Sequence, residues 1–258
     1  MTGAEIKQEY AEQGIVVIPN VIDQALVKEA QGHIEWMAKK YPDLRPEQYH
    51  HKLIVDDPFW IRLCAEPLLM DVIEPFIGSN IALFGAHYIS KPPRIGHPVL
   101  FHQDGNYWPL EPMEVITIWL AVDDSTPENG CMQVIPGSHR EQRLYAHRSN
   151  QEVANVLSSE LDQEIDREKI VDVVVPAGGV SLHDPYLIHG SEANLSDTRR
   201  CGLTLRYIPT TTLIKRDAHP AYLCRGHVVE GLNWYPAWPK FRAGDHFPFR
   251  GCDQSPWI

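Results

Sequence analysis

His102 and Asp104 stand two residues apart in the run Phe101-His102-Gln103-Asp104-Gly105. On an extended strand, side chains alternate between faces, so positions i and i+2 point the same way. An imidazole and a carboxylate then converge on one point. That is two-thirds of the 2-His-1-carboxylate triad that holds non-haem Fe(II) with coordination positions left open. The same pair also occurs as a hydrogen-bonded histidine in a loop, so the chain must supply a third ligand. His189 fits: it ends the apolar run Pro185-Tyr186-Leu187-Ile188 and precedes Gly190-Ser191, where the chain can turn. Arg200 lies eleven residues further on, at the start of a strand from Cys201 to Ile208. On a neighbouring antiparallel strand it comes near the metal, and its planar guanidinium can bind a carboxylate bidentately. Iron on His102, Asp104 and His189 keeps room for a chelating 2-oxo acid, with its far carboxylate on Arg200, and for O2.

The flanking sequence predicts what positions these groups. Thr2 caps a helix over residues 4–13 that Gly14 ends, and Ile15-Val16-Val17-Ile18 reads as a buried strand. Asp23 caps a longer helix to about Lys40, with Leu26, Ala30, Ile34 and Met37 at helical spacing. Trp36 and His33 on that helix read as packing or surface groups. Two short helices follow, at about 57–64 and 67–76, the second closed by Gly78. Residues 1–79 thus form a helical support without a ligand-spaced cluster.

From Asn80 to Pro209 short apolar runs alternate with Pro, Gly, Asn and Asp. They are 81–90, 98–103, 114–122, 131–135, 170–175, 179–183, 186–189 and 201–208. Many short strands with turns between them predict a sandwich, barrel or jelly roll over residues 80–209. A polar insertion at 150–169 reads as helical. Residues 210–258 form a tail rich in aromatics and proline, with Trp234, Tyr235, Trp238, Phe241, Phe247, Phe249, Pro256 and Trp257. That aromatic surface is expected to pack over the helical third or across a contact in a homo-oligomer, with a lid over the substrate as a third option.

The 258 residues are 43% hydrophobic, which suits a single domain over 1–258. Lys and Arg number 23 against 34 Asp and Glu, for a net charge of -11. With no basic run, nucleic acid and anionic membranes are poor partners, while a local basic pocket for a small anion stays compatible. There is no apolar run of about 20 residues and no signal-peptide pattern. Cys64, Cys131, Cys201, Cys224 and Cys252 are scattered, without a CxxC pair. This argues against a disulfide framework or zinc knuckle and for a reducing, cytoplasmic compartment.

The ordered motifs resemble those of the phytanoyl-CoA dioxygenase family of Fe(II)/2-oxoglutarate-dependent oxygenases. They begin with Lys91-Pro92-Pro93, His97-Pro98 leading into His102-Gln103-Asp104, Tyr107-Trp108-Pro109 and Trp119. They continue through Asn129-Gly130-Cys131, Ile135-Pro136-Gly137-Ser138-His139, His189-Gly190-Ser191, Asn194 and Arg200. Each alone is unspecific; their order over residues 50–208 is specific. The resemblance implies a mainly β chain with flanking helices, folded as a double-stranded β-helix (a cupin-like jelly roll), with iron on His102, Asp104 and His189. It implies 2-oxoglutarate contacts at Arg200, for the distal carboxylate, and at Ser191, Trp119 and Gln103. By looser alignment it adds His87, where the family often has an apolar residue, and Lys52, in a variable loop. Competing structural readings place Trp119 in the core, Gln103 facing away and Lys52 in solvent.

The activity so implied is a dioxygenase of the hydroxylase kind. It consumes 2-oxoglutarate and O2, releases succinate and CO2, and hydroxylates an aliphatic C–H of a small-molecule metabolite. In halogenating relatives a small residue replaces the carboxylate, so Asp104 argues for oxygen transfer. Desaturation, epoxidation or cyclisation would use the same cofactors. A catalytically inactive jelly-roll binding relative is the reading from another class. No basic platform for a CoA nucleotide is visible, so a smaller substrate is expected.

Five further residues call for an assignment. His139 reads as part of a structural turn, and His183 as a structural or supporting group in the barrel. Arg206, three alternations after Arg200, can face the same interior and then needs an anion: a substrate carboxylate or phosphate, or an internal acidic side chain. Tyr107 and Trp108, just past the iron ligands, either wall an apolar part of the substrate or staple the loop.

Overall fold

Local capping chemistry sets the boundaries of the helical support. In the computed structural model, which describes residues 1–254, α1 (Gly3–Gln13) opens on a reciprocal cap. The Glu5 amide donates to Thr2 Oγ1 and the Thr2 amide to the Glu5 carboxylate. The helix ends at Gly14 in left-handed backbone, φ +77°. After β1 (Ile15–Ile18), α2 (Gln24–Lys40) starts where the Asp23 carboxylate accepts from the Leu26 amide at 2.6 Å. It buries Leu26, Val27, Ala30, Ile34, Met37 and His33. His33 is a packing group: its Nε2 lies 2.9 Å from Asp57, the residue that caps α3 (Pro58–Cys64). α4 (Pro67–Ile77) completes the support.

The core strands are β2 (Tyr49–His50), β3 (Ile81–Lys91), β4 (Val99–His102), β5 (Leu110–Glu111), β6 (Ile116–Ala121), β7 (Met132–Val134), β8 (His147–Ser149), β9 (Ser159–Leu161), β10 (Val171–Val173), β11 (Val180–His183), β12 (His189–Ser191), β13 (Arg200–Pro209), β14 (Leu213–Ile214) and β15 (Tyr222–Arg225). The larger antiparallel sheet runs β1-β11-β6-β13-β3-β15, with β2 also on β3; the smaller runs β10-β7-β12-β4. Together they form the jelly roll. Strand alternation sorts the side chains of the larger sheet. Ile118, Leu182, Leu203 and Leu205 turn outward into the core shared with the helices, where the Trp60 and Tyr88 rings lie 4.8 Å apart. Trp119, His183, Arg200, Thr204 and Arg206 turn inward and line a cavity whose other wall comes from the smaller sheet.

Three local expectations change. The insertion at 150–169 is a hairpin, not a helix: β8 pairs with β9, and a single 3-10 turn spans Arg167–Lys169. Asn150 accepts from the Glu152 and Val153 amides and Asn155 from the Ser158 amide. These side chains offer the backbone a local alternative to helical hydrogen bonds. The run 186–189 is a turn in which the Asp184 carboxylate accepts from the Tyr186 amide, so the strand begins at His189. The strand at 98–103 stops at His102, and Asp104 opens the 3-10 turn Asp104–Tyr107.

The later part of the tail packs over the helical support, with Phe247 against Trp36 and Phe59, and Phe249 against Phe59, whereas Tyr235 packs beside the β core with Phe84 and Leu110, and Trp234 is exposed. Pro256 and Trp257 lie outside the described residues. Among the described residues no helix is long and apolar enough to cross a membrane, and the five cysteines are free thiols.

Candidate active site

His102 ends β4, His189 begins β12, and the two are direct cross-strand partners. Gly190 permits the approach, because a Cβ there would lie 2.9 Å from the Val99 carbonyl oxygen. The two rings come to 4.2 Å between centroids. Extended backbone at Gln103 (φ -121°, ψ 125°) swings Asp104 to the side of His102. Ligand atoms of His102, Asp104 and His189 lie within 4.8 Å of one another, and all three residues are buried.

Each imidazole is oriented through its far nitrogen. His102 Nδ1–H donates to the Leu100 carbonyl at 2.9 Å and His189 Nδ1–H to the Leu187 carbonyl at 3.0 Å. A carbonyl only accepts, so the proton sits on Nδ1 and the Nε2 lone pair is free for a metal. Burial, then the neighbouring His102, lowers the His189 pKa well below the usual histidine range. Burial pushes the Asp104 carboxyl up, but the Arg206 charge beside it holds it well below the carboxylate range. Two neutral imidazole nitrogens and a carboxylate converging on one point fit Fe(II) with open positions.

Arg200 lies at the other end of the same cavity. Its Nε and Nη2 donate to the Gly130 carbonyl at 3.0 and 2.8 Å, while Nη1 is buried without a partner. Burial lowers its pKa to about 10, so it stays cationic at neutral pH. A fixed guanidinium with one unspent buried nitrogen fits an incoming carboxylate. The Trp119 ring centre is 5.2 Å from the Arg200 guanidinium carbon, and the indole lies across Gly202 to reach it. Ser191 and His87 also line the cavity, about 50 Å³, with Ile89, Val99 and Leu157 as an apolar wall. His87 Nε2–H donates to the Glu47 carbonyl at 2.8 Å. Burial, then the Arg206 charge, lowers its pKa to about 3, so it is a neutral ring with Nδ1 as acceptor.

Two expected co-substrate contacts are corrected. The alternation that joins His102 to Asp104 sends Gln103 the other way. Its Nε2 donates to the Arg143 and Tyr186 carbonyls at 2.9 and 2.7 Å, and its Oε1 accepts from the Tyr145 amide at 2.8 Å. Lys52 is exposed in the 3-10 turn His51–Asp56 and does not line the cavity. The second basic group at this end is Lys91, which in the sequence stands only as part of the motif Lys91-Pro92-Pro93; burial, then the Arg200 charge, lowers its pKa well below the usual lysine range. It is fully buried and is the register partner of Arg200. Its Nζ donates to Ser191 Oγ at 2.7 Å and to the Gly130 and Glu192 carbonyls. A lysine closing an otherwise apolar strand was the available signal.

The remaining singled-out residues find structural partners. Tyr107 stands 6.0 Å from the His102 ring and its hydroxyl hydrogen-bonds Ser159 of the insertion. Trp108 packs on Phe84 with the Arg206 guanidinium 5.7 Å from its centre. Neither ring lines the cavity itself. His139 Nε2 donates to the Ala11 carbonyl and His147 Nε2 accepts from the Gln103 amide, so both hold loops. A wider groove of about 890 Å³ between β4 and the insertion shares Val99 and Ser191 with the cavity but holds none of the metal-ligand set.

The sequence pattern described as phytanoyl-CoA dioxygenase matches residues 10–202. A probable alpha-ketoglutarate-dependent hypophosphite dioxygenase of Stutzerimonas stutzeri is 33% identical over 142 residues, covering 54% of this chain and 49% of that one. The chain spans about half the length of the first such curated relatives. Among solved structures, the non-heme monooxygenase ThoJ superposes with a TM-score of 0.78 at 23% identity, over 91% of this chain and 88% of that one. The non-heme alpha ketoglutarate dependent carbocyclase SnoK from nogalamycin biosynthesis gives 0.68 at 26% identity, over 85% and 92%.

Proposed function

The chain belongs to the phytanoyl-CoA dioxygenase family, and from that premise we propose that it hydroxylates an aliphatic C–H of a small-molecule metabolite. Iron, 2-oxoglutarate and O2 are its cofactor and co-substrates. When bound, they supply the oxidising power to break an unactivated C–H bond, and succinate and CO2 are released. The protein's part is positioning. His102, Asp104 and His189 hold the metal on one face and leave the other open. Arg200 takes the far carboxylate of 2-oxoglutarate, Ser191 and Trp119 flank it, and the His87 ring borders it. Lys91 keeps Ser191 in place from behind. Tyr107 and Trp108 brace the mouth loop on the substrate side, and Arg206 faces the substrate.

The observation that carries this reading is the Arg200 guanidinium, fixed on Gly130 with Nη1 unspent, in the same cavity as a buried His-Asp-His set. The retained Asp104 supports oxygen transfer over halogenation. The intact ligand set and the unspent Arg200 nitrogen weigh against an inactive binding relative. Cyclisation is the second reading, favoured by the likeness to a carbocyclase; the pose of the substrate C–H would decide between them. Five free thiols support a reducing, cytoplasmic setting.

The test is a metabolite screen read as substrate-dependent succinate release, with products resolved by mass spectrometry. A product of a saturated substrate that gains one oxygen supports hydroxylation, and one losing two hydrogens supports cyclisation or desaturation. Succinate release that persists in His102→Ala would reject the iron assignment.

A further inference from the structure

The inner face of the larger sheet carries a polar row. Thr117 on β6 is the register partner of both His183 on β11 and Arg206 on β13, so the three stand side by side across adjacent strands. Their strand neighbours Ile116, Ile118, Leu182, Leu205 and Tyr207 belong to the core shared with the helices, which puts the row on the opposite, inner face. Each member carries buried polar atoms without a partner: Thr117 Oγ1, both ring nitrogens of His183, and Arg206 Nε. Buried polar groups are as a rule satisfied, and a cluster of unsatisfied ones calls for a ligand or ordered water.

Asp104 meets this demand only in part. Its Oδ2 lies 3.5 Å from His183 Nε2 and 4.0 Å from Arg206 Nε, beyond a well-formed hydrogen bond. The guanidinium otherwise rests against the Trp108 ring. Arg206 stands at the metal-ligand end of the cavity, away from Arg200. The two lie six residues apart on β13, which separates their backbones by roughly 20 Å.

We propose that Arg206, Thr117 and His183 form an oxyanion subsite for the substrate. The substrate is then a small anion, bearing a carboxylate or a tetrahedral phosphonate group near the carbon that reacts. The guanidinium offers paired in-plane donors. His183 offers a donor or an acceptor according to its tautomer, and Thr117, fully buried between the two and behind the cavity lining, backs them with its hydroxyl. In a chain of net charge -11 the general field repels anions, so this internal cation confines their binding to one place. The placement beside the metal ligands ties the substrate class to the oxygenase reading above; the binding itself does not depend on it.

The probes are propionate and methylphosphonate, with 1-propanol as the uncharged control, followed by tryptophan fluorescence. They are titrated into protein loaded with Ni(II) and 2-oxoglutarate, and into metal-free protein. One of the anions should saturate the signal while 1-propanol does not, and the tighter probe tells a planar from a tetrahedral group. Arg206→Gln should weaken that anion by about tenfold or more, and Thr117→Val by about threefold, with 2-oxoglutarate affinity and metal content retained in Thr117→Val. Thr117→Val carries the test if Arg206→Gln fails to fold. Saturation by neither anion, or unchanged affinity in the folded variants, would overturn the subsite. So would anion binding that is lost in Arg200→Ala instead, because it would lie at the co-substrate end. A protein that takes up neither metal nor 2-oxoglutarate rejects the oxygenase reading separately, and the metal-free titration still decides the subsite.

Discussion

Gly202 lies directly beneath the Trp119 indole: a Cβ at 202 would stand 1.9 Å from Trp119 Cζ2 and 2.2 Å from Cε2. The missing side chain lets the indole cross β13 and reach the Arg200 guanidinium. Gly202→Ala therefore displaces the ring. Overpacking of this kind costs about 1–3 kcal/mol of stability. Affinity for 2-oxoglutarate should fall about tenfold while metal binding is kept, read by calorimetric titration alongside metal analysis. An alanine variant with wild-type 2-oxoglutarate affinity would show that Trp119 has no part in positioning Arg200.

Removing a metal ligand should separate metal loss from unfolding. His189 is buried with its Nδ1–H spent on Leu187, so His189→Ala removes one ligand and leaves β12 paired with β4 and β7. Iron content should drop to a small fraction of one equivalent, and succinate formation should cease. Chelation of the wild-type protein should do the same, with Fe(II) restoring the wild type and not the variant. Restored turnover in the variant would remove His189 from the ligand set.

Arg200 and Lys91 sit at the same end of the cavity but should fail differently. Arg200→Ala deletes the group meant to meet the co-substrate carboxylate, at a cost of about 2 kcal/mol or more, roughly 30-fold in 2-oxoglutarate affinity. Lys91→Met leaves Ser191 and two carbonyls without their donor. It should chiefly lower thermal stability, by about 1–3 kcal/mol, with a smaller loss of affinity. If Lys91→Met weakens 2-oxoglutarate as much as Arg200→Ala does, the lysine itself contacts the co-substrate.

Acid should destabilise the fold through His51. This ring stacks on His219, 5.2 Å between centroids at 14°, and donates Nε2–H to the Pro220 carbonyl. Burial pushes its pKa from 6.5 down to about 4. The folded value lies below the unfolded one, so the unfolded chain takes the proton first as pH falls. The contribution is whole above pH 6.5 and is lost between 6.5 and about 4, with a slope of up to roughly 1.4 kcal/mol per pH unit. His51→Phe keeps an aromatic stack and removes the titration, so its stability should fall less steeply across that window in denaturant melts. Equal slopes would rule out His51 as a source of acid sensitivity.

The sequence by itself determined the family, the candidate metal-ligand set and the local starts and stops. His102, Asp104, His189 and Arg200 were legible because metal and carboxylate recognition restrict residue type, and strand alternation fixes the two-residue spacing. Thr2, Gly14 and Asp23 were legible because capping bonds span only a few residues. Tertiary structure decided what depends on distant partners. Gln103 could not be aimed until Arg143, Tyr145 and Tyr186 were seen to consume its amide. The choice of Lys91 over Lys52 rests on a contact with Ser191 across 100 residues of chain. The row of Thr117, His183 and Arg206 exists only once three strands are in register. That register is set by burying the outward faces against the helices, and a local spacing rule carries no record of which strand will lie beside which.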